Sequence, residues 1–297
     1  MRAQRLVSPA RGLRDVVALQ AQDVRALGVA AGNRGLGVEG VRTWAFRGTL
    51  HLLHAADVRW VLGVVGPRSV AAGARRRARS GLDDELCRRA LGALREVLQE
   101  PRDRAGVVRA LAEVGVVVDP GGQAPAHLLA FACLSGVVQR GLDDRYWLLA
   151  PDDGEDPRGV TELFHRYLGA YGPATVEDFV TWSGLRAADC RGLDLDGLRD
   201  TGFGFVLPGT EPAEPVGAVA LLGHSDTYLL GYRDRSLALD PAYAPRIQTG
   251  GGFLTPHVVL DGRVVGTWKR SGGELVLAPF EPGRGRELRR LLGEDTR

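Results

Sequence analysis

The 297 residues are 44% hydrophobic and 25% charged, a balance that excludes a disordered or collagen-like chain and leaves length for two or three compact domains. Apolar runs such as 58–65 and 128–134 stop well short of the roughly 20 residues a spanning helix needs, so no membrane partner is expected. Formal net charge is +2, and of the 38 basic residues Lys269 is the single lysine, so any contact with a polyanion requires a local basic surface.

Residues 13–19 read as a helical segment, 23–30 as a second helix, and 40–54 as two strands around a tight turn at Arg47-Gly48, because β-branched and aromatic residues flank that dipeptide. Asp57 suits the N-cap of a helix running to Gly66, Pro67 closes it, and 68–79 forms a strongly basic helical stretch. Asp83-Asp84-Glu85 place acids in the first turn of a helix that reaches about Gln99. Helices over 103–114 and 126–134 follow, then strands 136–139 and 146–149 around Gly141-Leu-Asp-Asp144. The run 151–159, rich in Asp, Gly and Pro, reads as a linker.

A helix over 161–171 is broken at Gly172-Pro173. Thr175 caps a helix over 176–183 with Asp178 three residues on, close to a capping box. Gly184 ends that helix and a further one starts at Ala187, the order of a helix-turn-helix. From about 215 the texture changes to strands, at 218–222, 227–231, 236–239, 257–260, 263–269 and 274–278. Asp261-Gly262 and Ser271-Gly-Gly273 are hairpin turns, and a short basic helix occupies 284–292. Three stretches therefore place helices before a pair of short strands, the order of a winged helix, and divide the chain at 1–81, 82–159 and 160–297. The expected class is α+β with a β-rich C-terminal part.

Common catalytic patterns are absent: no Walker-type phosphate loop, no G-x-S-x-G elbow and no H-E-x-x-H. Cys87, Cys133 and Cys190 lie far apart with no zinc spacing, and an odd count suits a reducing cytoplasm. His51 and His54 fall on opposite faces of a strand and cannot share a metal. Gly202-Phe-Gly204 and Gly250-Gly-Gly252 read as turn glycines. No metal or cofactor is expected.

The unusual feature is Leu19-Gln20-Ala21-Gln22-Asp23. On a continuous helix the two amides point about 200° apart. If the chain is extended there and a helix restarts with Asp23 as N-cap, Gln20 and Gln22 project to one side. Two surface glutamines at a helix junction are the plain alternative.

Around this pair, Gln20-Ala-Gln22-Asp23, then Arg42-Thr-Trp-Ala-Phe-Arg-Gly-Thr-Leu-His51, Tyr171-Gly-Pro-Ala-Thr175 with Trp182-Ser-Gly-Leu185, Tyr228-Leu-Leu-Gly-Tyr-Arg-Asp-Arg235 and Asp261-Gly-Arg-Val-Val-Gly-Thr-Trp268 occur in an order that resembles the winged-helix DNA glycosylases of the AlkZ and YcaQ type. The resemblance spans residues 16–268. It implies three tandem winged-helix units forming a C-shaped, concave DNA-binding channel, and a Gln-x-Gln motif, matched by Gln20 and Gln22, as the catalytic element of a monofunctional glycosylase. Alkylated purines, bulky adducts and crosslinks are the implied substrates, with self-resistance to a DNA-alkylating natural product as the setting. Gly223-His-Ser-Asp226 departs from the aromatic-before-acid pattern of relatives, which bears on the lesion accepted.

On this reading the partner is damaged double-stranded DNA, bound by a monomer. Asp23, Thr49, His51 and Tyr228 are candidates for the surroundings of the glutamines, since Thr49 and His51 alternate on one strand face. Arg47 sits at a wing tip, and Arg75, Arg76, Arg77 and Arg79 form the densest basic cluster, suited to phosphates. Arg233 and Arg235, and Trp268, Lys269 and Arg270 leading into a hairpin turn, are further candidates for touching DNA, with core packing the competing role of Trp268. Lys269 lies in a strand far from the glutamines in sequence, which argues against a Schiff-base lyase. The rival reading is a winged-helix transcription factor without catalysis.

Overall fold

A computed structural model describes residues 10–151, 156–211, 217–224, 226–250 and 253–293. In chain order the elements are β1 (Ala18–Gln20), α1 (Val24–Gly32), β2 (Val41–Trp44), β3 (Leu50–Leu53), α2 (Ala55–Arg79), α3 (Asp84–Val97), α4 (Arg104–Glu113), α5 (Ala124–Leu134), β4 (Val138–Arg140), β5 (Tyr146–Leu148), α6 (Val160–Tyr171) and α7 (Val176–Ser183). They continue with β6 (Arg199–Asp200), β7 (Phe205–Val206), β8 (Val219–Leu222), α8 (Thr227–Leu230), α9 (Ala244–Ile247), β9 (Gln248–Gly250), β10 (Phe253–Leu254), β11 (His257–Leu260), β12 (Arg263–Ser271), β13 (Glu274–Pro279) and α10 (Arg284–Leu291). The class is α+β, as expected. Two compact units emerge, one made of Met1–Val38, Phe164–Trp182 and Gly192–Arg297, the other of Glu39–Leu163 and Ser183–Arg191.

In the second of these units β2 and β3 pair antiparallel, Val41 opposite Leu53 and Trp44 opposite Leu50, around the turn at Arg47-Gly48. Helices α3, α4 and α5 enclose a core that includes Leu94, Val107, Leu111, Leu128 and Leu129, and the hairpin β4–β5 closes over it. Asp83 and Asp103 cap α3 and α4 by accepting from Leu86 N and Gly106 N, each at 2.7 Å, so these helix starts follow from local chemistry. Buried Arg42 fastens the β4–β5 turn, donating to the Gly141 carbonyl at 2.7 Å and to Asp144 at 2.8 Å.

The other unit carries an antiparallel sheet in the order β13-β12-β11-β8. Val258 and Leu260 pack with Leu288 of α10, while Leu222, Val259 and Val264 join Leu229 and Ile247 in a second cluster. Rings from α6 and α7, namely Phe164, Tyr167, Tyr171, Phe179 and Trp182, stack at centroid separations of 4.8 to 6.0 Å. Thr175 and Asp178 form the reciprocal capping box, Thr175 N donating to the carboxylate at 2.9 Å and Asp178 N to the hydroxyl at 3.1 Å. Arg34 near the end of α1 and Asp226 at the N-cap of α8 form a fully buried pair, Nη2 to Oδ1 at 2.7 Å.

Several expectations are corrected. Residues 13–19 are not one helix: a 3-10 turn covers Leu13–Val16 and β1 follows, because consecutive β-branched residues resist helix and Val17 adopts φ 64, ψ −57. Pro67 does not close a helix, since α2 runs unbroken through it with Val58, Val61, Leu62 and Val65 buried. That packing outweighs the roughly 3 kcal/mol of an internal proline. Gly66 brings α2 so close to α5 that an added Cβ would lie 2.5 Å from the Leu134 carbonyl oxygen. Asp57 is not its N-cap; His54 Nδ1 accepts from Ala56 N, and Asp57 is buried against Arg158 at 2.6 Å.

Ala187–Cys190 is a single 3-10 turn closed by the Arg186–Asp189 pair, so α7 has no long second helix after it. The strand expected over 227–231 is instead the helix Thr227–Leu230, because Asp226 caps Tyr228 N at 2.8 Å, and 236–239 form a turn held by Asp234. The linker expected over 151–159 falls partly outside the described residues, and its end is pinned where Arg158 meets Asp57 and stacks over Trp60 at 4.5 Å. Gly251 and Gly252, and the N-terminal residues 1–9, lie outside the described residues. The pairs β6–β7 and β9–β10 have no counterpart among the expected strands.

Candidate active site

Ala18, Leu19 and Ala21 are buried, while Gln20 is half-buried and Gln22 exposed. Period-two alternation over Leu19–Gln22 turns both glutamines the same way. Helix α1 restarts immediately after, with Asp23 in an extended conformation as its N-cap, accepting from Ala26 N at 2.8 Å. Gln20 Nε2 donates to Gln22 Oε1 at 3.1 Å, so the two amides meet. The geometry is the interrupted-helix alternative, not the continuous helix that would separate them. Val17, three residues before Gln20, holds a positive φ that a β-branched residue adopts only under strain, fixing the direction in which β1 leaves.

The pair is uncharged. Each amide offers a carbonyl acceptor and two N–H donors, which suits holding a water or a sugar oxygen, and neither titrates near neutrality. Among the described residues no group of three His, Cys, Asp or Glu could hold a metal ion.

Thr49 lies just before β3, its hydroxyl donating to the Phe46 carbonyl at 3.1 Å. His51 is buried, edge-on to the Phe46 ring at 5.2 Å, with Nδ1 2.9 Å from the Thr49 carbonyl; burial, with the charge of Arg47 adding, pushes its pKa down to about 3. It is therefore a neutral core group. Tyr228 is also a core residue: it is buried, its hydroxyl donates to the Gly262 carbonyl at 2.6 Å, and burial pushes its pKa up to about 12.

The basic run on α2 is not uniform. Arg75, Arg76 and Arg79 are exposed, whereas Arg77 is only 6% exposed and lies over the Phe131 ring at 4.6 Å. Arg76, Arg77, Arg47 and Arg68 converge on one cleft of about 320 Å³, which Arg75 and Arg79 do not line. Arg68 is absent from the expected set because that set follows the densest run of arginines, from which Arg68 lies seven residues away. On one continuous α2, residues 68, 72 and 76 share a face with 69, 73 and 77, and that spacing is the signal that finds it.

Arg233 and Arg235 line a different cleft of about 660 Å³ with Tyr232, whose hydroxyl donates to the Tyr171 carbonyl at 2.6 Å. Trp268 packs as its competing role required, in the Val258, Leu260, Leu288 cluster with Nε1 donating to the Leu222 carbonyl at 2.8 Å. Lys269 and Arg270 are exposed beside it, and Arg270 reaches the Gly273 carbonyl of its own hairpin turn at 3.1 Å.

Comparison with known proteins adds an independent line. A family model described as DNA glycosylase AlkZ-like matches residues 13–295. An interstrand DNA cross-link repair glycosylase of Streptomyces sahachiroi is 32% identical, with 81% of this chain and 73% of that protein covered. The solved structure of the Streptomyces sahachiroi DNA glycosylase AlkZ superposes with a TM-score of 0.75 at 22% identity, covering 98% of this chain and 94% of that one.

Proposed function

The chain belongs to the AlkZ-like DNA glycosylase family, and on that premise we propose that it excises N7- or N3-alkylated purines, including bulky N7 adducts and crosslinks, with Gln20 and Gln22 as the catalytic pair. The observation that carries this reading is the meeting of the two amides at 3.1 Å on one side of the β1–α1 junction. Alkylation at N7 of guanine or N3 of adenine makes the base cationic, so the glycosidic bond is already weakened and the leaving base needs no proton. What the enzyme must add is a positioned water against C1′ and stabilisation of oxocarbenium-like charge on the sugar. A Gln carbonyl oxygen can accept from that water, and a second can face the developing positive charge. The C1′–N bond breaks with its electron pair leaving on the cationic base, which departs neutral, while water supplies the new C1′–O bond and its surplus proton passes to bulk solvent, since the amides hold the water but do not take up its proton. No lysine takes part, so the product is an abasic site without strand cleavage.

We also infer three tandem winged-helix units at 1–81, 82–159 and 160–297 around a C-shaped DNA channel. The order of α3, α4 and α5 before β4–β5, and of α6 and α7 before β6–β7, supports this. Phosphate binding is assigned to Arg47, Arg76, Arg77, Lys269 and Arg270. A DNA substrate points to the cytoplasm, and no described helix is long and apolar enough to cross a membrane. Family membership favours excision over the transcription-factor reading.

Incubation with duplex DNA carrying N7-methylguanine, or a bulky N7 adduct, tests the proposal. Free modified base is expected, and a Gln20→Ala, Gln22→Ala double variant should release it at least about a hundredfold more slowly, the scale of losing a preorganised polar group. No release from either substrate, or undiminished release by the double variant, overturns it.

A further inference from the structure

The cleft of about 660 Å³ lies wholly within the unit that carries the four-stranded sheet, and neither glutamine lines it. Its walls are tied to one another. The β6–β7 turn is fastened to the start of α7, Phe205 N donating to the Ala174 carbonyl at 2.8 Å and Ala174 N to the Phe205 carbonyl at 3.2 Å. The segment 232–236 is fastened to the same helix, where Asp178 accepts from Arg233 N at 2.8 Å. Within the turn the Thr201 hydroxyl donates to the Gly204 carbonyl at 2.8 Å and accepts from Phe203 N at 3.3 Å. Gly204, at φ 118, comes so near Ala174 that an added Cβ would collide with its backbone. This bracing presents Phe203 to the cleft while 65% of it stays exposed, and Leu237, 44% exposed, shares the lining. Apolar groups held in water at fixed positions favour a flat apolar ligand.

The polar lining narrows the ligand further. Asp178 and Asp234 are spent on backbone, accepting from Thr175 N at 2.9 Å and Ser236 N at 2.9 Å. Glu177 in the first turn of α7 is exposed and Arg235 is half-buried, and among the described residues neither forms an ion pair, with the other or with any third group. Arg235 Nε is buried with no hydrogen-bond partner, and burial lowers the guanidinium pKa with no carboxylate offsetting it. Opposite charges that line one cleft without meeting are left for a ligand that bridges them. We propose that this cleft binds a guanine nucleoside, its ring on Phe203, its N1–H and 2-amino group donating to Glu177 and its O6 accepting from Arg235. Guanine joins a two-donor edge and an acceptor edge in one flat ring, the first suited to a carboxylate and the second to an arginine fork. Adenine places an acceptor, N1, where the carboxylate needs a donor. The volume is within the range of pockets that enclose small molecules.

The test is calorimetric titration of the full-length protein with guanosine, inosine and adenosine, each carried to about 1 mM. Guanosine is expected to saturate one site. Inosine, which lacks the 2-amino group, should bind about tenfold more weakly, the scale of one hydrogen bond to a charged acceptor, and adenosine should not bind. Glu177→Gln and Phe203→Ser, both at exposed positions, are titrated alongside with their thermal midpoints as a check on folding. Glu177→Gln should weaken guanosine at least about tenfold and abolish its advantage over inosine, and Phe203→Ser should weaken both nucleosides together. No saturable guanosine binding to the wild type, adenosine binding as tightly as guanosine, or two variants that bind guanosine as the wild type does, each overturns the site. The nucleoside comparison on the wild type decides the matter without any variant. Binding is read without base release, so this site and the glycosylase reading fail or hold separately.

Discussion

Gln20 donates its side-chain amide to the side-chain carbonyl of Gln22, 3.1 Å away, across one residue of extended chain. Because neither group titrates, base release should be flat with pH between about 5.5 and 8.5 when followed as single-turnover rates. Asp23 is the nearby carboxylate in sequence, and its Oδ1 is engaged in capping α1. Asp23→Ser preserves a capping oxygen and should retain both the helix and wild-type release. A drop of tenfold or more in release by that variant, with unchanged thermal stability, would assign the carboxylate a part in the reaction.

Buried histidines set an acid limit on stability. Burial pushes the pKa of His51 down to about 3 and also lowers that of His257. Below about pH 6.5 the unfolded chain takes up protons that the folded imidazoles refuse. Their part of the stability is therefore intact above pH 6.5 and drains as pH falls, for His51 until about pH 3. Between those limits the slope from His51 is about 1.4 kcal/mol per pH unit, and His257 adds in the same direction. Urea unfolding at pH 7.5 and pH 5 should show the loss, and His51→Asn, which keeps a donor for the Thr49 carbonyl, should remove about one proton from the dependence.

The Arg34–Asp226 pair has both side chains fully buried, with Arg34 also donating to the Ala30 carbonyl at 2.8 Å. Asp226→Asn should destabilise the fold by about 3–5 kcal/mol, because it leaves a guanidinium charge without an anion. An Arg34→Met, Asp226→Leu double variant should recover most of that loss. Denaturant midpoints of the three proteins decide it, and additive losses in the double variant would contradict the account.

Two glycines on α2 should respond in opposite directions. Gly66→Ala drives a Cβ to 2.5 Å from the Leu134 carbonyl oxygen and should cost about 1–3 kcal/mol as α2 and α5 are forced apart. Gly63→Ala meets open space at a helical position and should stabilise by about 0.4–1 kcal/mol. Thermal midpoints of the two variants give the comparison directly.

What is legible in the sequence is what local chemistry controls. Asp83, Asp103 and the Thr175/Asp178 box are readable because a capping side chain satisfies backbone within three residues. The same logic makes the glutamine pair readable, since Asp23 announces where a helix must begin. What is not legible depends on partners far along the chain. Residues 227–231 look like a strand by their Tyr and Leu content, but Arg34, about 190 positions earlier, fixes Asp226 where it caps a helix. Pro67 looks like a terminator until α5 packs against α2. In the arginine run, burial separates Arg77 from its neighbours, and a string of identical residues carries no mark of which one turns inward.

The segment bearing the glutamines is completed by chain that comes much later. Its unit draws on Met1–Val38, Phe164–Trp182 and Gly192–Arg297, whereas the other unit is nearly continuous. During synthesis, α1 leaves the ribosome long before Asp226, which clamps Arg34, or β8, whose Leu221 carbonyl receives Asn33 at 2.7 Å. The Gln20–Gln22 junction must then wait, incompletely packed, until residues 219–226 have been made. Base-excision competence should appear only after residue 226 has been made and packed, and a chain arrested before it should carry both glutamines and no activity.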